Sequence, residues 1–350
     1  MSSWDLLAGL GLTLERYELE RIDVKLGGDF IRSTTIVHLY GGGHEGVGED
    51  VTYAGEDHDA LHAAGPILPL AGHWTLASFA AHLSTLDQFP PPPSNEVYRR
   101  YRNWAFDSAA LDLALAQAGE PLHAVLGREP APLRFVASLR LPDPPTLEPI
   151  ERRLAQHPDL QFKLDPTKDW DDALVARIAA LAVVAVADLK GFYSHTTVDN
   201  PPEPALYQRV LDAFPDAWIE DPGVTTETEP LLASQRERIT WDAPIHTVAD
   251  VDALAFQPRM LNVKPSRLGS VHELLDLYDY CAERRIGNYG GGQTELGIGR
   301  GQIQYLAALF HPDTPNDVAP GAYNMSPLPA GLPGSPLAPT PSRTGFRWQS

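Results

Sequence analysis

The sequence predicts an α/β protein: a modified (β/α)7β barrel of TIM type, preceded by a smaller α+β domain. Three observations carry this expectation. From about Arg134 onward, short apolar runs alternate with amphipathic stretches, the rhythm of a parallel sheet with helical crossovers. The first third instead strings strand-like runs together across turns and then turns helical. No G-x-G-x-x-G follows the first strand of the alternating region, which disfavours the open doubly wound sheet that the same rhythm allows. The expected domains are 1–132 for the α+β part, 133–325 for the barrel and 326–350 for a C-terminal segment folding back onto the first domain.

In the first domain, "YELERIDVKL", "STTIVHLY" and "VGEDVTY" read as strands, the last two joined by the turn "GGGHEG". "WAFDSAALDLALAQAG" is rich in helix-favouring Ala and Leu and stops at Gly119. The proline run "FPPPPS" at 89–94 is a stiff connection. The barrel strands are expected at "LRFVASLRL", "LQFKLD", "VVAVADL", "AWIED", "ITWDA", "MLNVKP", "IGNYGG" and "NDVAP". Between them lie helical patterns, among them "TEPLLASQRERI", "VADVDALAF", "SVHELLDLYDYCAERR" and "RGQIQYLAALF", and no regular helix closes the series. The tail after Met325 is rich in Pro and Gly, a composition that reads as disorder, yet "TGFRW" ends it with two large aromatics that favour packing.

Composition narrows the function. With 350 residues, 43% of them hydrophobic, the chain can bury a large core. A formal charge of −19 opposes binding to phosphate backbones, so nucleic acid is not an expected partner. The single cysteine, Cys281, lies in an apolar helical pattern and reads as core in a reducing compartment. The N-terminus lacks a basic region before its apolar run, and no run reaches the roughly 20 residues of a membrane span. A soluble cytoplasmic protein is expected.

The chemistry gathers at strand ends, where parallel barrels place their active sites. Lys163 and Asp165 end "FKLD", Asp188 ends "VAVAD", Glu220 lies in "WIED", Asp242 in "TWDA" and Lys264 in "NVKP". Consecutive strands thus deliver carboxylates, and their neighbours deliver lysines. Carboxylates converging without compensation would repel one another, so a cation or a shared proton must hold them. Oxygen-only ligation suits Mg²⁺. A lysine facing such an ion is a candidate general base, and Lys264 fits that role. The glycine triplet 290–292 reads as a close loop approach rather than a phosphate cradle.

These residues resemble the enolase superfamily, in the branch of muconate-lactonizing enzymes, o-succinylbenzoate synthases and dipeptide epimerases. "GHEGVGE" is similar to the strand-turn-strand of that family's capping domain, "AFDSAALDLALAQAGEPLHAVLG" to its long cap helix and barrel entry, and "ELGIGRGQIQYLAAL" to the loop and helix after the seventh strand. The resemblance implies an α+β capping domain over the barrel and one Mg²⁺ held by Asp188, Glu220 and Asp242. It implies Lys264 as base and Lys163 as the first lysine of a Lys-x-Lys pair. Glu295 matches a substrate-holding or proton-donating position, and Tyr53 lies in "EDVTYAGED", where the cap closes over substrate, as does "LGGDFIRST".

Two departures from the family pattern matter. Asp165 stands where the second lysine of the pair is usual, and Lys190 follows Asp188 by two where an asparagine is common. Lys190 is accordingly expected either beside the substrate, with Glu295 and Tyr53, or as the ion-pair partner of Asp165. The implied reaction removes a proton next to a carboxylate of a small acid, with Mg²⁺ stabilising the enediolate, as in cycloisomerisation. Dehydration, with Asp165 or His195 as acid, is its rival. The alternative outside enzymology is a carboxylate-binding or assembly protein without turnover. Homo-oligomerisation is compatible with each.

Overall fold

The computed structural model describes residues 2–27, 30–194, 196 and 198–348. His195 and the tip of "LGGDFIRST" at 28 and 29 lie outside the described residues. The chain opens with a short helix α1 (Ser3–Leu7), then β1 (Gly11–Leu14), β2 (Arg16–Gly27), β3 (Phe30–Gly41) and β4 (His44–Asp50). The last three form an antiparallel meander in that order, and β1 pairs instead with β5 (Gly72–Thr75). Helices α2 (Gly55–Ala64), α3 (Leu76–Leu83) and α4 (Val97–Ala118) complete the α+β cap.

Helix α4 is buried almost all round between Tyr101 and Leu115, because the meander covers one side and the barrel another. Its contact with β4 explains Gly46 and Gly48 of "GHEGVGE". A Cβ at Gly46 would come within 2.3 Å of the Ala109 carbonyl oxygen, and one at Gly48 within 2.1 Å of that of Ala105. The helix ends where Gly119 takes the left-handed conformation, φ +73°.

Through α5 (Leu122–Leu126) the chain enters the barrel, whose strands are β6 (Val136–Leu139), β7 (Gln161–Leu164), β8 (Val184–Asp188), β9 (Trp218–Glu220), β10 (Ile239–Trp241), β11 (Met260–Val263) and β12 (Gly287–Gly290). They pair in parallel, each with its sequence neighbour. The crossovers are α6 (Glu148–Leu154), α7 (Asp172–Leu181), α8 (Pro204–Ala213), α9 (Glu229–Ala233), α10 (Val248–Asp252), α12 (Val271–Arg284) and α13 (Ile298–Phe310), with a single turn α11 (Pro265–Leu268) directly after Lys264. Local chemistry sets several boundaries. Ser270 caps α12 through the Glu273 amide, and Thr247 and Asp250 form a capping box on α10.

Among the expected elements that come out shorter, three are informative. "NDVAP" is not a regular strand: it makes isolated bridges, Phe135 to Asn316 and Gly291 to Asp317. The side chain of Asn316 replaces the missing ladder, accepting from the Gly290 amide at 2.6 Å and donating to the Arg134 carbonyl at 2.9 Å, while its carbonyl accepts from Val136. "VADVDALAF" is helical only to Asp252, beyond which Phe256 turns to pack on Trp241 and Pro258 opposes helix. "TEPLLASQRERI" breaks into α9 and a 3-10 turn, Arg236–Arg238.

The C-terminal segment is pinned along its length. Leu133 and Leu337 exchange backbone hydrogen bonds, Leu122 donates to the Gly345 carbonyl, and the Phe346 amide donates to Asp112 of α4 at 2.6 Å. Phe346 and Trp348 are buried, with Trp348 5.6 Å from the Tyr305 ring. Among the described residues, no helix is long and apolar enough to cross a membrane.

Candidate active site

The strands β7 to β11 each bring a charged side chain to, or just past, their carboxyl ends. Asp188 at the end of β8 and Glu220 at the end of β9 are register partners. Asp242 immediately follows β10 and Lys264 immediately follows β11. Lys163, in β7, completes the ring, and all five side chains are buried. The residues expected from the strand ends therefore do meet.

Lys163 is the hub. Its Nζ lies 2.5 Å from Glu220 Oε1, 3.0 Å from Asp188 Oδ2 and 3.6 Å from Asp317 Oδ2. Glu220 also accepts from Asn262 at 3.1 Å and from the Tyr289 hydroxyl at 2.5 Å. Lys264 Nζ is 2.8 Å from Asp242 Oδ2, and Arg267 lies 3.2 Å from Asp242 Oδ1. The Tyr193 hydroxyl donates to Asp242 and accepts from Arg267, both at 3.2 Å. Lys190 is ion-paired with Asp188 Oδ2, and its Nζ stands 3.7 Å from Asp165 Oδ1.

Burial and charge divide the acids. Burial alone would raise the Asp188 carboxyl, but Lys163 and Lys190 hold it below the ordinary range. Asp242 is likewise opposed by burial and pulled down by Arg267 and Lys264. Glu220 is pushed up to about 8 by burial and by Asp188. Asp221 is pushed to about 7 by burial and by Asp242 and Asp188, and Asp165 to about 6, mainly by burial. Burial opposes the charge on Lys163, yet Asp188 and Glu220 raise it well above the usual lysine value.

The donor set fits a hard divalent cation. Oxygens of Asp188, Glu220 and Asp221 lie within 4.8 Å of one another, all fully buried. The carboxylates of Asp165, Asp188, Glu220, Asp221, Asp242 and Asp317 face the cations Lys163, Lys190, Lys264 and Arg267, a formal excess of two negative charges. Asp242 Oδ1 and Asp165 Oδ1 make no hydrogen bond and are met by the ion pairs to Arg267 at 3.2 Å and Lys190 at 3.7 Å. Asp221, which the sequence reading passed over, enters the cluster where Asp242 was expected. Its two oxygens each accept a backbone N–H, from Asp242 and Ala243 at 2.9 Å, so it also ties the end of β9 to that of β10.

The expected substrate-facing residues are spread out. Lys190 sits within the carboxylates. Glu295, buried beyond β12, accepts from the Gln293 amide at 2.7 Å and pairs with Arg300 at 3.1 Å. Tyr53 is more than one-third exposed at the cap edge, its ring 4.2 Å from the Arg32 guanidinium and its hydroxyl 3.5 Å from Thr294. Two cap side chains fix the loop between them. Arg32 donates to the Gln293 carbonyl at 2.8 Å, and Glu49 accepts from the amides of Leu296, Gly297 and Gly299 at the start of α13.

Asn262, Tyr289, Tyr193, Arg267 and Asp317 were missed along with Asp221. Some had a signal: Asn262 precedes Lys264 by two on one strand face, and Arg267 follows it by one turn. The glycine triplet is a close approach: a Cβ on Gly291 would meet Asn262 Oδ1 at 2.5 Å and Lys264 Cε at 2.8 Å.

Two family models, the N-terminal and C-terminal domains of a domain of unknown function (DUF8230), match residues 5–125 and 129–325. The o-succinylbenzoate synthase of Geobacillus stearothermophilus is 28% identical over 232 residues, 63% of this chain and 59% of that protein, so the match spans about three-fifths of the relative. The N-succinylamino acid racemase of Thermus thermophilus is 26% identical across 85% of this chain and 81% of its own. The dipeptide epimerase of Methylococcus capsulatus, solved with Mg, superposes with a TM-score of 0.69 at 18% identity, covering 90% of this chain and 92% of that one.

Proposed function

The chain belongs to the DUF8230 family and has the enolase-superfamily fold in its muconate-lactonizing and mandelate-racemase form, and on that premise we propose that it is a Mg²⁺-dependent lyase or isomerase acting on a small carboxylic acid. One observation carries the reading: buried acids stand at or just past three consecutive strand ends, Asp188, Glu220 with Asp221, and Asp242, and the strands on either side add Lys163 and Lys264, ion-paired with Glu220 and Asp242. Asp188, Glu220 and Asp242 would hold the ion. Asp242 is preferred to Asp221 as the third ligand, because both oxygens of Asp221 are engaged by fixed backbone N–H groups whereas the partners of Asp242 are the side chains of Lys264, Tyr193 and Arg267, which can shift. Bound there, Mg²⁺ supplies charge that stabilises a dianion more than the ground-state carboxylate.

The chain's own residues do the rest. The α-proton moves to the lone pair of Lys264 Nζ, which must first have shed its own proton to become a neutral amine; Asp242 aims it at 2.8 Å and Gly291 leaves it room to pass. The electron pair left on carbon spreads into the substrate carboxylate, where the fixed ammonium of Lys163 favours it. Asp165, a carboxyl in place of a second lysine, makes two-base racemisation the less favoured outcome. Because both curated relatives are named for succinyl compounds, succinylated carboxylic acids are the first substrates to try.

The test is proton NMR in D₂O with Mg²⁺ and N-succinylamino acids. Loss of the α-proton signal is expected with the native chain and not with Lys264→Ala. Exchange that survives in Lys264→Ala removes that lysine from the mechanism. A second reading, carboxylate binding without turnover, is favoured by the ammonium groups of Lys163 and Lys190 that already satisfy Asp188 and Glu220. Calorimetric binding with no exchange across a panel of acids would establish it.

A further inference from the structure

We propose that Lys190 is a tethered cation that exchanges between two carboxylates, resting on Asp188 when no divalent ion is bound and on Asp165 when one is. The inference rests on the metal reading above and deepens it. Lys190 follows Asp188 by two, with its backbone in the left-handed region (φ +53°) and its amide held 3.1 Å from Asp188 Oδ1. That geometry anchors the stem of the side chain beside the carboxylate. Its ammonium shares Asp188 Oδ2 with the ammonium of Lys163. A divalent ion taking up that oxygen must expel one of them.

Lys163 is the more firmly held, since besides Asp188 it has Glu220 at 2.5 Å and Asp317 at 3.6 Å, and Asp317 is not among the proposed ligands of the ion. Lys190 has somewhere to go. Asp165 Oδ1 is buried, has no hydrogen-bond partner, and lies 3.7 Å from Lys190 Nζ. A buried carboxylate oxygen whose cation stands at 3.7 Å gains when that cation closes to hydrogen-bonding distance. The Tyr193 ring, 5.2 Å from Nζ, offers a favourable face beside the moving charge. The two departures from the family pattern thus form one device: a positive charge lost at 165 reappears at 190, and the acid at 165 becomes the place where it is stored.

The test is binding of Mn²⁺ to the full chain, followed by electron paramagnetic resonance of the free ion, in the native protein, Lys190→Met, Asp165→Asn and the double variant. Removing a charge that contacts the ligand oxygen is expected to tighten binding at least about tenfold in Lys190→Met. Asp165→Asn, which removes the storage site, is expected to weaken binding by at least about threefold, whereas in the Lys190→Met background it changes affinity by less than about twofold. Equal affinities of the native chain and Lys190→Met, or an Asp165→Asn effect of the same size in both backgrounds, overturn the exchange while leaving the metal reading intact. No binding by any of the four proteins overturns both. Should a variant fail to fold, the Mn²⁺ complex of the native chain decides in a crystal: Lys190 Nζ hydrogen-bonded to Asp165 supports the exchange, and Lys190 still on Asp188 refutes it.

Discussion

At the scale of residues, the barrel mouth is built by side chains that cannot be exchanged for near equivalents. Gly291 is one. Adding a single methyl there drives into Lys264 Cε and Asn262 Oδ1, so Gly291→Ala is expected to lower the rate of α-proton exchange by at least about tenfold, by misplacing the base rather than by unfolding the chain. A kinetic assay paired with thermal denaturation checks this; a variant with native exchange would mean that Lys264 does not need that path. Asp107 gives a pH prediction away from the site. It is fully buried in α4, accepts from the Val271 amide that starts α12, and has its other oxygen unpaired, and burial pushes it up to about 6. An acid raised in the folded state contributes most at low pH, and that contribution is lost as pH rises from its unfolded value towards 6, here by about 3 kcal/mol. Asp107→Asn should therefore raise the urea midpoint more at pH 8 than at pH 4. An equal shift at both pH values would contradict the raised value.

At the scale of elements, the eighth strand is the informative failure. "NDVAP" has the composition of a buried strand end, but the barrel is closed there by one backbone bond on each side, Val136 to Asn316 and Asp317 to Gly290, together with one side chain, and no periodicity reveals that an asparagine will stand in for a ladder. Asn316 is held in turn by His311, whose Nδ1 lies 2.6 Å from it and whose Nε2 faces the Tyr278 hydroxyl at 3.0 Å. Asn316→Ala would strand the Gly290 amide and the Arg134 carbonyl in a dry interior, at a cost of about 2–4 kcal/mol. Chemical denaturation measures it, and a loss below about 1 kcal/mol would mean that water replaces the side chain. The regular elements were legible because their patterns are strong: the cap meander and the ends of β7 to β11 follow from alternation and from polar residues after apolar runs. Asp221, Tyr193 and Asp317 were not, since a turn acid, a loop tyrosine and a residue of the unformed strand acquire their roles only through tertiary contact. Lys190 was visible as an anomaly, but its seat on Asp188 was not.

At the scale of the whole molecule, cap and barrel are locked by buried polar contacts as well as by apolar packing. Arg32 and Glu49 reach from the meander to the loop bearing Glu295, and the C-terminal segment returns to α4. Removing residues 341–350 would expose the surfaces covered by Phe346 and Trp348 and leave Asp112 without its Phe346 and Arg347 partners. A loss of about 4–6 kcal/mol is expected, read from the denaturant midpoint, and native stability of the truncated chain would refute the structural role of the tail. This rigidity is what lets separate strands present their charges to one point. Whether they do so for one shared ion is tested most directly by calorimetric titration with Mg²⁺. The account predicts one ion per native chain, binding retained in Lys264→Ala and lost in Glu220→Gln. Native-like binding by Glu220→Gln, or no binding by the native chain, would contradict it.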